Sequence, residues 1–258
     1  MNYETIRLSF DNGIMSVVLA RPERMNALNS QMRAELLHAF RNLQETMRVV
    51  VVTGEGTAFC SGQDLGDGDS IDRPDLERVL RDEYEPMLRA IYDCPVPTIA
   101  AVNGAAAGAG ANLALAADVV IAAESAVFLQ AFTRIGLMPD AGGTFWLPRQ
   151  VGFAKAMGAA LFAEPVTARQ ASDWGMIWEA VPDEGFADQW RHRAAQLASG
   201  PSIAYRNAKR ALRESFSNDL ATQLDLEAGL QAECGNTRDF REGVLAFLEK
   251  RPPRFEGR

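Results

Sequence analysis

Apolar and polar residues alternate over positions 4–9 and again over 14–20, with Asp11-Asn12-Gly13 between them. Alternation marks half-buried strands, and Asn-Gly tolerates the positive φ of a tight turn, so this segment predicts a hairpin. From Ser30 to about Met47 the spacing becomes helical, with Met32, Leu36, Leu37, Phe40 and Leu43 in phase and Ser30 as the cap. Residues 49–52 are an unbroken run of valine before Gly54, the pattern of a strand buried on both faces. A helix is predicted from about residue 74 to 92, and strands at 98–102, 119–122 and 126–129. A short helix fits between Gly110 and Ala117. Beyond Phe132 helices dominate, at 145–151, 154–161, 168–174, 186–197, 203–214, 220–234 and 238–248. Strands and helices first, then helices alone, predict an α/β core over residues 1–200 and a helical region over 201–258 available for assembly.

Residues 94–117 carry no charge and are numerous enough to cross a bilayer. Pro95, Pro97, Asn103 and Asn112 interrupt them, and glycine and alanine contribute little transfer energy, so a buried strand–loop–helix is expected. The chain holds 34 acidic against 26 basic residues, a net charge of −8, which disfavours a nucleic-acid binder. Its two histidines, His38 and His192, leave little for a histidine metal site or relay. Cys60, Cys94 and Cys234 are odd in number and form no Cys-x-x-Cys, as in a reducing compartment. No basic-then-apolar leader is visible, so a cytoplasmic location is expected. The acidic stretch 64–85 fails as a calcium loop: counted from Asp67, the fifth residue is Ile71 and the twelfth is Arg78.

Candidate chemistry lies in three glycine-rich segments after predicted strands, at 59–65, 103–112 and 136–144. A dinucleotide fingerprint fails because Leu113 stands where the third glycine belongs, and no P-loop or Gly-x-Ser-x-Gly occurs. Backbone N–H groups of the first two segments can instead converge on one oxygen and stabilise an enolate, helped by a helix start near Gly110. Asp140 lies among Ile135, Leu137, Met138, Phe145 and Trp146, where burial would raise its pKa toward that of a useful base. The alternative is that Asp140 caps the helix after Gly142, and spacing alone leaves both readings open.

Ala101-Val102-Asn103-Gly104, then Gly108-Ala109-Gly110-Ala111-Asn112-Leu113-Ala114 and Asp118, resemble the signature of the enoyl-CoA hydratase/isomerase (crotonase) family. Arg21-Pro22 with Asn26-Ala27-Leu28-Asn29, the run Phe59 to Leu65, Gly142-Gly143-Thr144 and the tail Arg241 to Arg251 extend the likeness along the chain. The resemblance implies a crotonase-like spiral of ββα units and a C-terminal helical trimerisation region. It implies a homotrimer or a hexamer built as a dimer of trimers, an acyl-CoA thioester substrate, and no metal or other cofactor. By position, the oxyanion donors fall on the N–H groups of Gln63 and Ala109. Arg24, Ala27 and the loop Ser61, Gly62, Gln63, Asp64 and Leu65 would line CoA, and Lys250 would reach a neighbouring subunit's CoA.

Hydratases of this family carry two glutamates where this chain has Asn112 and Phe132, and neither replacement can shuttle a proton. Isomerases keep one acid at the position of Asp140. Asn112 and Phe132 then border the acyl group, with Phe132 either greasing a pocket for a ring or packing in the core; the residues leave both readings open. Among isomerases the chain most resembles the phenylacetate-degrading branch, which implies conversion of ring-1,2-epoxyphenylacetyl-CoA to oxepin-CoA. The competing expectations are a general enoyl-CoA isomerase or hydratase of fatty-acid oxidation and, outside catalysis, a crotonase-like RNA-binding or partner-binding protein.

Overall fold

The computed structural model describes residues 2–66 and 75–258. The hairpin forms as β1 (Ile6–Asp11) and β2 (Ile14–Leu19), closed by Asn12 and Gly13 at φ 48° and 80°. Helix α1 (Ser30–Arg41) differs from expectation at both ends. Asn29, not Ser30, caps it, accepting the Met32 N–H at 2.9 Å through Oδ1. It also stops short of Met47, because Asn42 leaves the helical region and its Nδ2 donates to the His38 carbonyl at 2.8 Å. Asparagine side chains compete with helix propagation in this way.

The six-stranded sheet has the order β1-β2-β3-β5-β7-β10, with β3 (Val49–Gly54), β5 (Thr98–Val102), β7 (Val119–Ala123) and β10 (Glu179–Val181). All its pairings are parallel except the first hairpin. The valine run is two-sided, as predicted. Val50 and Val52 join the larger core with Met32 and Leu36, while Val49 and Val51 face Ala194 and Ala198 of α7 (Asp183–Ala198).

A second sheet, order β4-β6-β8-β9, comprises β4 (Ala58–Cys60), β6 (Ala105–Ala107), β8 (Val127–Leu129) and β9 (Val166–Thr167). Only β8 was expected among these. The chain passes from the large sheet to the small one three times, through β3–β4, β5–β6 and β7–β8. The first two passes lead into helices, which makes the ββα units of the implied spiral. The first helix begins as α2 (Leu76–Val79), widens into a π-helical turn at Leu80–Tyr84 and continues as α3 (Glu85–Tyr92). The second is α4 (Ala109–Leu115). The charge-free stretch 94–117 therefore forms β5, β6 and α4, and no helix among the described residues is long and apolar enough to cross a membrane.

Helix α5 (Gly143–Phe162) kinks at Gly152, φ 76° and ψ 165°, matching the predicted break between 151 and 154. After α6 (Ala168–Asp173) and α7 come α8 (Ser202–Glu214), α9 (Leu220–Gly235) and α10 (Arg238–Glu249). Asp118 fastens α8 to the core through Lys209 and Arg213, each at 2.7 Å. Arg48 holds Ser202 Oγ at 3.1 Å, the Phe255 carbonyl at 3.3 Å and the Gly200 carbonyl. The buried Asp239 carboxylate accepts the N–H groups of Glu256 and Gly257 at 2.7 and 2.8 Å.

The two histidines have no place in a relay: His38 meets the Tyr3 hydroxyl at 2.9 Å, and His192 is exposed. Cys60 is fully buried, and burial pushes its thiol up to about 12, away from the thiolate form that a nucleophile needs. The calcium-loop count from Asp67 falls mostly outside the described residues. Among the described residues no group of three or more His, Cys, Asp or Glu side chains is placed to hold a metal.

Candidate active site

The loop after β4 runs beside the segment 26–28. The Leu28 N–H donates to the Gly62 carbonyl at 2.7 Å, and the Asp64 N–H donates to the Leu28 carbonyl at 3.1 Å. These two bonds make a single parallel bridge between Leu28 and Gln63. Successive peptide groups of an extended chain point to opposite sides, so the Gln63 N–H is turned away from Leu28. The same loop packs on the turn before α4. A Cβ on Gly62, which has φ +95°, would lie 2.8 Å from the Ala107 carbonyl and 3.4 Å from the Ala109 nitrogen. A Cβ on Gly110 would come within 2.2 Å of the Cys60 carbonyl. Only glycine permits this approach. Ala109 opens α4, so its N–H has no acceptor within the helix. The amides of Gln63 and Ala109 thus lie on touching backbone segments, as the oxyanion expectation requires.

Phe132 is buried, and its ring lies 3.7 Å from where a Cβ on Gly108 would stand, beside the same turn. Asp140 follows Pro139, and its main-chain oxygen is held twice: by the Gly143 N–H at 2.8 Å and by Asn112 Nδ2 at 2.7 Å. Ala141 and Gly142 then take left-handed φ values of 47° and 83° and lead into α5. The cap position of α5 is Gly142, with no side-chain cap bond, so Asp140 is not the helix cap. Its half-buried carboxyl forms no ion pair among the described residues, and burial pushes it up to about 6. A carboxylate so placed is suited to move a proton near neutral pH.

Asn112 does not border an open pocket. It is fully buried, and its carboxamide accepts Gln130 Nε2 at 2.9 Å while donating to the Asp140 carbonyl. It lies beneath the site as a support for the aspartate.

The implied CoA-lining residues gather at one edge. Arg21 donates to the Ala27 carbonyl at 2.6 Å and to Asp64 at 2.8 Å, joining the two lining segments. Burial alone would raise the Asp64 carboxyl, but Arg21, the Gly66 N–H and nearby Arg24 outweigh it and hold it below its ordinary value. Asp64 is therefore an anionic clasp within the loop. The Ser61 hydroxyl contacts the Arg24 carbonyl at 3.3 Å, Ala27 is buried, and Arg24 and Leu65 are exposed. Lys250 is exposed at the left-handed end of α10, and no hydrogen bond among the described residues joins it to this edge.

Two groups have roles that the sequence did not assign. Asn26 is fully buried and donates to the carbonyls of Glu55 and Ala58 at 2.9 and 2.8 Å, pinning the lining segment to the core. Arg33, also buried, bonds Gln63 Oε1 at 2.9 Å, and the Tyr84 hydroxyl donates to the same oxygen at 2.6 Å. A basic residue immediately after Met32 on an otherwise core-facing helix was the available signal.

The sequence model of the enoyl-CoA hydratase/isomerase family matches residues 9–258. A relative from Rhodobacter capsulatus named a probable enoyl-CoA hydratase is 63% identical over 258 residues, covering 100% of both chains. The 1,2-epoxyphenylacetyl-CoA isomerase of Escherichia coli is 45% identical over 261 residues, covering 99% of each. A crystal structure of an enoyl-CoA hydratase from Bacillus anthracis superposes with a TM-score of 0.91 at 32% identity, covering 99% of this chain and 100% of that one. Sequence and fold agree: the chain belongs to the enoyl-CoA hydratase/isomerase family.

Proposed function

We propose that this chain is an acyl-CoA isomerase that works through an enolate. The observation that carries the reading is the half-buried carboxyl of Asp140, without an ion-pair partner among the described residues, above an Asn112 amide that cannot relay protons. The thioester carbonyl sits between the N–H groups of Gln63 and Ala109. Asp140 takes a proton from the α-carbon, the C–H electrons form the new C=C bond, and the carbonyl pair moves onto oxygen. Donors aimed at that oxygen stabilise the charge as it develops. Asp140 then returns the proton to a carbon further along the conjugated system. One carboxyl is enough because the same proton leaves and comes back, and the step balances without a metal or redox cofactor.

The substrate we favour is ring-1,2-epoxyphenylacetyl-CoA, converted to oxepin-CoA. The C–C bond shared by the epoxide and the ring opens electrocyclically, its electron pair joining the ring π system to give the seven-membered oxepin. The Asp140 proton shift moves one proton from the α-carbon to a ring carbon. The 45% identity to the Escherichia coli isomerase supports it, as does an apolar Phe132 beside the amide turn. The second reading is hydration of a 2-enoyl-CoA, favoured by the name of the Rhodobacter relative. Hydration needs one group to activate water and another to protonate carbon, and Asn112 and Phe132 supply neither. A homotrimer or dimer of trimers in the cytoplasm completes the reading. Phe153, Phe162, Leu220 and Phe247 are more than 70% exposed on α5, α9 and α10, and apolar side chains of this size favour burial against another subunit.

A substrate panel tests the proposal. Ring-epoxide phenylacetyl-CoA and trans-3-hexenoyl-CoA should isomerise far faster than crotonyl-CoA takes up water. Hydration at a rate equal to isomerisation would overturn it.

A further inference from the structure

We infer that Arg33 is a positioning residue for the Gln63 amide. The inference rests on the reading of that N–H as an oxyanion donor. Arg33 is buried on α1, yet its guanidinium serves the loop after β4. Its Nη1 donates to the Leu28 carbonyl at 2.7 Å and to Gln63 Oε1 at 2.9 Å. Leu28 and Gln63 are the two members of the bridge that turns the Gln63 N–H outward. One nitrogen thus holds both halves of the element that aims the amide.

The rest of the cluster keeps Arg33 in place. Glu83 Oε2 accepts from Nε at 3.0 Å and from Nη2 at 2.6 Å, and Nη2 also reaches Ser30 Oγ at 3.0 Å. The guanidinium carbon lies 4.9 Å from the centre of the Tyr84 ring. Tyr84 supplies the second donor to Gln63 Oε1, at 2.6 Å, from the end of the π-helical turn. A π-helical turn within an α-helix often marks a functional segment. The side chain of Gln63 is therefore fixed by two donors while its backbone N–H is left for substrate. The planar fork of arginine suits this task, because a lysine can match the charge but not bond several fixed acceptors at once.

The test uses Arg33→Lys, which keeps the charge opposite Glu83. Two readings are taken with phenylacetyl-CoA labelled at the carbonyl: solvent deuterium exchange at the α-carbon, and the infrared carbonyl band of the bound thioester. In the folded variant exchange should slow about tenfold or more, since small displacements of a reacting geometry are expensive in rate. The Kd should stay within about twofold, because Arg33 is buried behind the loop and is not itself one of the residues expected to line CoA. The carbonyl band should move back toward its position in buffer, a change that a purely structural role would not produce. Tyr84→Phe should show a smaller loss of the same kind. An unchanged band and exchange rate in Arg33→Lys overturn the inference while leaving the oxyanion reading intact. A wild-type band at its buffer position refutes the oxyanion reading itself, and this inference with it. If Arg33→Lys does not fold, Gln63→Leu carries the test: it keeps the N–H and removes the tethered oxygen, and unchanged exchange there overturns the inference.

Discussion

Asn112 Nδ2 stands 2.7 Å from the main-chain oxygen of Asp140, so the position at which the family resemblance implies a hydratase glutamate is a hydrogen-bond donor here. Asn112→Asp keeps the size and replaces the donor with an acceptor facing a carbonyl. The buried repulsion and lost bond should destabilise the fold by about 2–3 kcal/mol, read from the urea midpoint. Isomerase turnover should fall as well, and hydratase activity should not appear. A stable variant that hydrates crotonyl-CoA would show that the amide is not the support described above.

Asp140→Asn removes the proposed base without changing its shape. Turnover should fall at least about 10²-fold with little change in KM. In the wild-type enzyme kcat/KM should rise with pH to a plateau, with its midpoint near the Asp140 pKa of about 6. The same group affects stability. Burial favours its neutral form, so its contribution is fully present below the unfolded value of 3.8 and is lost as pH rises through about 6. The asparagine variant should therefore be the more stable protein above pH 6, by something of order 1 kcal/mol after solvent screening. A urea-denaturation series from pH 4 to 8, of order 0.5 unit apart, checks the sign.

Gly62→Ala tests the contact between the two amide loops. The added methyl would meet the Ala107 carbonyl at 2.8 Å in a backbone with φ +95°. Strain of this kind costs about 1–3 kcal/mol. Activity should drop further than stability does, because relief of the clash separates Gln63 from Ala109. A variant with wild-type turnover would argue against convergence of these amides on one oxygen.

Glu35 anchors the first hairpin from inside the core. Its fully buried carboxylate accepts the N–H groups of Glu4, Thr5 and Ile6 at 2.7, 2.9 and 3.2 Å and the Thr5 hydroxyl at 2.6 Å. Burial alone would raise its pKa, but these bonds and Gln31 together lower it. The stability it supplies is present above its unfolded value of 4.5 and is lost as pH falls. Glu35→Ala should cost about 3 kcal/mol at neutral pH, since several buried donors lose their acceptor. The gap between variant and wild type should narrow on acidification, measured by thermal melts at several pH values.

The elements visible in sequence were those with a local period. The Asn-Gly hairpin, the two-sided valine strand, the break in α5 at Gly152 and the C-terminal helices all carry their own pattern. The small sheet does not. Ala105–Ala107 has no alternation to read, and its pairing with β4 and β8 is decided by distant chain segments. Asp140 was identified as a base or a cap, and only the backbone at Gly142 separates the two. Arg33 stayed hidden because nothing along α1 indicates that its fork spans Leu28, Gln63 and Glu83. Asn112 is expected from sequence to border the acyl group, but its partners 18 and 28 residues away, Gln130 and Asp140, keep it buried beneath the aspartate instead.

The clasp made by Arg48 and Asp239 has a consequence in time. Arg48 lies 207 residues before Phe255, whose carbonyl it holds, and Asp239 takes the N–H groups of Glu256 and Gly257. On the ribosome the hairpin and the first parallel strands can pair early, while this seam stays open until residues 255–257 have emerged. Arg48 can therefore meet Gly200 and Ser202 before its contact with the Phe255 carbonyl is available, and the seam is completed in two stages.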